Sequence, residues 1–326
     1  SGPRLEQAPP TSDAGTVLVR IFGWSMLAFL AVFLCNNVLI FWFGWPGAFG
    51  VTANTASARS WAQTGFYMAA ILLAVAYVFK NRDQSLRRES VQISDFNAFL
   101  VRAAFWAVLV VGLVDTGLSV LRATELLDDV VGKTLASKLV VSKFRGTYVH
   151  MPLIAFSIVI AACTRTLGFI WLGIMIVIVE LAIVMFRFVF SYEQAFMGDL
   201  VRFWYSALFL FACAHTLRED GHVRVDVLYT SFAPKTKGIV NAVGTILFGM
   251  PMCWVILVIG TSTKASVIVG ALLSFETTGI GYGLMVKYLM AVFLGLFAIS
   301  MLIQFVSYLF DAVADWRDEP DELYQA

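Results

Sequence analysis

Repeated, uninterrupted runs of apolar residues restrict the fold of this chain more than any other feature. Several runs, among them residues 17–43, 99–121 and 286–310, reach or exceed the roughly 18–20 residues that an α-helix needs to cross a bilayer. Hydrophobic residues make up 60% of the sequence and charged residues 14%, which excludes an ordinary soluble domain. The runs lack the alternation of a membrane β-barrel. The sequence therefore predicts an all-α polytopic membrane protein.

The apolar runs predict about eight transmembrane helices and one amphipathic helix that lies in the plane of the membrane interface. The predicted spans are residues 17–43, 61–79, 99–121, 148–163, 169–190, 200–216, 239–259 and 286–310. The in-plane helix is predicted within residues 122–145, where apolar residues recur at helical spacing between charged ones: Leu126, Val130, Leu135 and Leu139. A solvated connector is the alternative for that segment.

The distribution of basic residues predicts the orientation of the spans. Lys80, Arg82, Arg87 and Arg88 follow the second run, and this cluster places residues 80–88 in the cytoplasm. If the short run 148–163 crosses the membrane, residues 218–237 lie on the same side, and both termini are cytoplasmic. If it does not cross, these two basic loops lie on opposite sides. Arg20 and Asp115 lie near the ends of their runs and are expected at the membrane interface.

No motif in the sequence indicates catalysis or a bound cofactor. The four cysteines lie singly inside apolar runs, which is typical of small packing residues. His150, His215 and His222 offer no pair that faces across a helical bundle, so we expect no metal and no haem. The chain lacks His-Glu-x-x-His, Gly-x-Ser-x-Gly and Cys-x-x-Cys, and we therefore expect it not to be an enzyme.

Residues 217–229 form a strongly charged loop between two apolar runs. Gly221 permits a turn that other residues resist, and His222, Arg224 and Asp226 alternate, so they share one face of an extended segment. Polar residues are costly in such an apolar chain, and a dense cluster usually marks where the protein contacts something. We expect this loop to organise the cytoplasmic end of the bundle and to dock on a partner. A solvated, membrane-anchoring loop is the alternative.

Ionisable residues deep inside the apolar runs are scarce, and Glu180 is the main candidate. Arg187 lies seven residues further on, about 10 Å along the helix axis, which is too far for a direct bond. Glu180 therefore bonds either a polar group of a neighbouring helix or partner subunit, or, in its protonated form, a group inside its own bundle. Asp199 and Arg202 are one turn apart and are expected to pair locally, with a role at a subunit interface.

Three motifs give residues 169–310 a resemblance to a known family. These motifs are Arg187-Phe188-Val189-Phe190, Asp199-Leu200-Val201-Arg202 and Gly221-His222-Val223-Arg224-Val225-Asp226. In order and spacing they resemble motifs of the DctQ family, the small membrane subunit of tripartite ATP-independent periplasmic (TRAP) transporters. The last motif is specific, whereas Gly198-Asp199 stands where the family usually has paired glutamates. Residues before about 148 resemble the extended N-terminus of larger members.

The apolar runs and the resemblance together predict a division of the chain into five regions. Residues 1–16 are expected to be a disordered cytoplasmic tail, 17–147 an N-terminal extension with three spans and the in-plane helix, and 148–167 the short fourth span. A DctQ-like four-helix core follows at 168–312, and residues 313–326 are expected to be a solvated, acidic cytoplasmic tail.

The resemblance also implies a function. A TRAP system takes up organic acids across the bacterial inner membrane: a periplasmic solute-binding protein delivers the substrate, and a large membrane subunit moves it coupled to sodium. The small subunit binds the large one, so this chain is expected to be a scaffold without a cofactor, and sodium coupling is expected in the partner. The subunit-interface or structural residues are Glu180, Arg187, Asp199, Arg202, Gly221, His222, Arg224 and Asp226. A self-sufficient secondary transporter or channel is the alternative.

Overall fold

A computed structural model describes residues 13–48, 57–165, 169–218, 229–277 and 281–319. Within these ranges the regular structure is helical and contains no strand. The α-helices are α1 Ala14–Phe43, α2 Ala58–Lys80, α3 Leu86–Ala123, α4 Leu127–Val131, α5 Lys133–Leu139, α6 Ser142–Arg145, α7 Met151–Cys163, α8 Phe169–Phe190, α9 Ala195–Arg218, α10 Pro234–Gly244, α11 Met250–Gly260, α12 Val267–Ser274 and α13 Lys287–Trp316.

Eight helical segments in the described ranges are long and apolar enough to cross a membrane. Two of them are composite. Ser142–Cys163 joins α6 and α7 through a π-helical turn, and Pro234–Gly260 joins α10 and α11 through another. The predicted fold class, an all-α polytopic membrane protein with about eight spans, is therefore confirmed.

The fourth span is longer than the sequence suggested. The apolar run begins at residue 148, but the helical segment begins at Ser142 and contains 22 residues, enough to cross a hydrocarbon core of about 30 Å. Its π-helical turn, Gly146–His150, brings Gly146 against the ring of Phe275, where an added Cβ would lie 2.3 Å from a ring carbon. A larger residue at this position would force the ring of Phe275 to move.

The segment predicted as a single in-plane helix consists instead of the three short helices α4, α5 and α6. Gly132 has a φ of 81°, which ends α4 and starts α5 in a new direction. Leu127, Ala136 and Leu139 are buried together, while most of the predicted apolar stripe is exposed: Leu126, Val130 and Leu135. The prediction of one continuous helix was therefore wrong. The position of these three helices in the membrane interface stays a prediction.

Contacts between Cα atoms divide the chain into two compact units. The first unit contains residues 1–95, 223–252 and 302–326, and the second contains residues 96–222 and 253–301. Each unit combines residues of the predicted N-terminal extension with residues of the predicted DctQ-like core.

In the first unit, a buried ion pair links α1 to the start of α3. Arg20 donates from Nε and Nη2 to the two carboxylate oxygens of Glu89, at 2.9 and 2.7 Å, and both side chains are almost completely buried. Arg20 Nη2 also donates to the carbonyl oxygen of Asn81, just after α2, at 2.6 Å. The expectation that Arg20 extends to the lipid headgroups was therefore wrong.

The end of α13 packs against α3 in the same unit through several polar contacts. Arg87 donates to Asp315 at 2.8 Å, and the hydroxyl of Ser90 donates to Asp311 at 2.6 Å. The backbone N–H of Leu86 donates to Glu319. The first acidic residues of the predicted solvated tail are thus bonded to α3, whereas residues 320–326 lie outside the described ranges.

Candidate subunit-docking site

Helix α8 has the least buried surface of the eight spans. Only Leu172 is fully buried among its 22 residues. The helix exposes large apolar side chains along its length, including Trp171, Val177, Ile178, Leu181 and Phe188. Such a surface contacts either lipid or another membrane protein, and apolar exposure alone does not distinguish the two.

Glu180 interrupts this apolar surface. It is the twelfth residue of α8, in the middle of the span, and its side chain is exposed. It forms no hydrogen bond or ion pair with any residue that the structure describes. A carboxyl group facing hydrocarbon costs several kcal/mol unless it finds a polar partner. The sequence left two partners open for Glu180, one inside its own bundle and one outside it. The described residues of this chain do not provide the partner inside the bundle.

The other predicted site residue of α8, Arg187, lies near its end and does not contact Glu180. Its Nε is 3.6 Å from the Oε2 of Glu193, and both side chains are more than half exposed. Exposed ion pairs of this kind contribute little to stability, about 0–1 kcal/mol. Arg187 is therefore accessible to a partner.

Asp199 and Arg202 are close together near the start of α9, as their spacing predicted. Arg202 Nη1 is 3.7 Å from Asp199 Oδ1, but only Asp199 is buried, with 8% of its surface exposed. Asp199 Oδ2 accepts a hydrogen bond from the backbone N–H of Leu284 at 3.1 Å. Asp199 thus holds the segment that leads into α13, while Arg202 is exposed.

The remaining predicted site residues, Gly221, His222, Arg224 and Asp226, lie outside the described residues. The chain that follows them is bonded within the first unit. Tyr229 shares a hydrogen bond with Asn241 of α10, and Lys235 pairs with Asp318 at 2.5 Å. The docking role of the charged loop stays a prediction.

The second unit contains a buried polar cluster that was not predicted from the sequence. Asp115 of α3 accepts hydrogen bonds at Oδ1 from Arg145 at 2.9 Å and is 2.9 Å from Nε2 of His150. Its Oδ2 accepts from the backbone N–H of Met285 at 2.8 Å. His150 Nδ1 lies 2.9 Å from the hydroxyl of Tyr288, the second residue of α13. The four side chains Asp115, Arg145, His150 and Tyr288 are almost completely buried.

This cluster has the properties of a structural cross-link. The carboxylate of Asp115 is compensated by the guanidinium of Arg145, so it leaves no free charge that could carry an ion. Among the described residues, no group of three or more histidine, cysteine or acidic side chains is arranged to hold a metal. Asp115 was expected at the interface because it lies near the end of its apolar run. Arg145 and His150 lie at the start of the next span. These two basic residues could have indicated that Asp115 has a partner.

Comparison with protein families identifies one matching region. Residues 175–313 match the model of a family described as tripartite ATP-independent periplasmic transporters, DctQ component. No curated protein and no solved structure matches the chain. The match begins within α8 and ends within α13, and it contains every predicted site residue from Glu180 to Asp226. The resemblance stated from the three motifs is therefore confirmed for this region.

Proposed function

On the basis of the family match at residues 175–313, we propose that this chain is a component of a TRAP transporter with a specific role. The chain is a non-catalytic small permease subunit that braces a large, sodium-coupled membrane subunit in the bacterial inner membrane. The system takes up organic acids that a periplasmic binding protein delivers. Both termini of this chain face the cytoplasm.

Exposed Glu180 is the observation that supports the scaffold role most directly. A carboxyl group in the middle of an otherwise apolar, lipid-accessible helix requires a polar partner, and none lies among the described residues of this chain. A hydrogen-bonding group on a transmembrane helix of the large subunit would satisfy it. Helix α8 would then be the face of the bundle that contacts the partner.

The buried charges support a scaffold rather than an autonomous transporter. The ion pairs Arg20–Glu89 and Arg145–Asp115 each combine one acid with one base. A secondary transporter usually presents uncompensated polar groups near the bilayer midplane to its ion and substrate. Each of these two pairs is compensated in charge.

Co-purification with the large subunit tests the proposal. The full chain and a tagged large membrane subunit of a TRAP transporter would be co-expressed and isolated in mild detergent. Glu180→Leu is expected to reduce the recovered chain about tenfold, the effect of losing roughly 1.4 kcal/mol. The Glu180→Gln chain is expected to be recovered at close to the wild-type amount, because the amide still forms hydrogen bonds.

The matched control is Val177→Leu, which changes a neighbouring exposed residue of α8 without changing polarity. Undiminished recovery of the Glu180→Leu chain would overturn the docking role of α8. Proteoliposomes that contain this chain alone are expected to show no uptake of organic acids. Uptake by the isolated chain would replace the scaffold with the self-sufficient transporter.

A further inference from the structure

A cavity of about 340 Å³ lies among α3, α7, α9 and α13 of the second unit. Its lining is entirely apolar. The space arises because α3 presents three small residues, Ala103, Ala104 and Ala107, opposite aromatic side chains such as Phe203 of α9 and Phe293 of α13. The lining residue Ile158 of α7 is about half exposed, so the cavity is partly open.

The chemistry of the walls determines what can occupy the cavity. Apolar cavities exclude water, and an engineered apolar cavity of about 150 Å³ already binds benzene-sized molecules. At about 340 Å³, this cavity lies within the roughly 300–1,000 Å³ of typical ligand sites. The helices that form it are membrane spans, and the abundant apolar species around them is the lipid acyl chain.

One end of the cavity is marked by a cationic group. The guanidinium of Arg102 lies 5.9 Å from the ring centroid of Phe99, which lines the cavity. Arg102 donates from Nε to the carbonyl oxygen of Ala161 at 3.1 Å and from Nη1 to that of Arg165 at 3.2 Å. Its Nη2 has no acceptor among the described residues, and the side chain of Arg165, whose carbonyl oxygen Arg102 contacts, is exposed.

The depth of the cavity fits one leaflet of a bilayer. Trp106 donates from its indole N–H to Thr164 at 3.1 Å, and tryptophan and arginine near the end of a span are typical of the membrane interface. Along α3 the lining extends from Phe99 to Val111, a rise of about 18 Å, of which the part from the level of Arg102 inward is about 14 Å. Half of a hydrocarbon core is about 15 Å thick.

We propose that this cavity binds one acyl chain of an anionic phospholipid, whose phosphate contacts Arg102 and Arg165. The matched DctQ region supplies only the walls from α9 and α13, whereas α3 and α7 precede that region. The lipid site therefore depends on residues outside the family match, and it does not rest on the proposed transport role.

Native mass spectrometry of the full chain tests the site. The protein would be purified in mild detergent and titrated with phosphatidylglycerol or phosphatidylcholine. The wild type is expected to retain one tightly bound phosphatidylglycerol. Ala104→Phe fills the cavity and is expected to weaken this binding about tenfold, because the acyl chain loses about two buried methylene groups. Arg102→Gln is expected to remove the preference for phosphatidylglycerol over phosphatidylcholine.

Ala155→Phe is the matched control, since Ala155 of α7 is exposed and does not line the cavity. It is expected to retain lipid like the wild type. If Ala104→Phe does not elute as a monodisperse species, Ala107→Leu provides a smaller obstruction of the same cavity. The proposal is overturned if the wild type retains no phosphatidylglycerol, or if the folded cavity-filling variant binds it as tightly as the wild type.

Discussion

At the scale of single residues, the most constrained positions are the charged side chains buried between spans. Asp115 has no exposed surface and bonds Arg145, His150 and the backbone of Met285. Glu89 is equally buried, and its two carboxylate oxygens accept hydrogen bonds from Nε and Nη2 of Arg20. A buried charge is tolerated only with a partner of opposite sign, so removing one member leaves the other uncompensated.

Asp115→Asn tests this dependence in the second unit. The amide keeps the shape of the carboxylate and can still accept the Met285 N–H, but it leaves the Arg145 guanidinium without a counter-charge. The variant is expected to lower the free energy of unfolding by about 3–5 kcal/mol, measured by thermal unfolding of the full chain in detergent. Asp128→Asn, which changes an exposed carboxylate on α4, is the control and is expected to have little effect.

A second substitution distinguishes charge from packing at Asp115. The double variant Asp115→Asn with Arg145→Met removes both charges. It is expected to lower the free energy of unfolding by less than Asp115→Asn alone does, because no uncompensated charge remains. If the double variant is less stable than either single variant, the cluster stabilises the fold by its hydrogen bonds and shape rather than by charge compensation.

These residues also show what the sequence could not provide. Arg20 and Asp115 lie near the ends of apolar runs, where local hydropathy predicts an interfacial position. Their partners Glu89 and Arg145 are 69 and 30 residues away along the chain. Burial depends on which helices pack together, and a single sequence does not contain that information. The exposed position of Glu180 could not be predicted for the same reason.

At the scale of helices, small residues determine where two spans approach closely. Gly238 of α10 faces the backbone of α13 in the first unit. A Cβ at this position would lie 2.5 Å from the carbonyl oxygen of Ala312 and 2.8 Å from the backbone nitrogen of Trp316. Backbone atoms cannot rotate away as a side chain does. The two helices therefore pack at this distance only with glycine at position 238.

Gly238→Ala is expected to destabilise the chain by about 1–3 kcal/mol, because α10 must move away from α13 to admit the methyl group. Gly244→Ala is the matched control on the same helix, where an added Cβ meets no atom within 4 Å. The thermal unfolding temperatures of both variants in detergent provide the measurement. Equal effects of the two substitutions would show that helix propensity, rather than the close approach, governs this helix.

The prediction of helices succeeded where apolar runs end sharply. Residues 169–190 were predicted as a span, and α8 has those bounds. The start of α3 was missed by 13 residues because Leu86–Asp95 is rich in charged and polar side chains, which hydropathy assigns to a loop. In the structure Glu89, Ser90 and Ser94 of this stretch are buried. Helix α12 was not predicted either, since its eight residues lie between the predicted spans 239–259 and 286–310 and are too few to cross a membrane.

At the scale of the whole molecule, each of the two units combines residues of the N-terminal extension with residues of the DctQ-type region. In the first unit the hydroxyls of Ser90 and Ser307 are 2.8 Å apart. In the second unit Asn97 donates to the carbonyl oxygen of Ser300 at 3.0 Å. Helix α3 of the extension thus bonds α13, which is the most buried of the eight spans. Polar contacts of this kind hold membrane helices together because hydrocarbon offers no alternative partner.

Dividing the chain between α7 and α8 tests this dependence. Residues 169–326 expressed alone are expected to aggregate in detergent, because the polar surface of α13 then lacks α3. Co-expression with residues 1–165 is expected to yield a monodisperse complex that co-purifies through a tag on either fragment. The double variant Ser90→Leu with Ser307→Leu removes the paired hydroxyls and is expected to reduce recovery of the complex. A monodisperse fragment 169–326 with the thermal stability of the intact chain would show that the DctQ-type region folds without the extension.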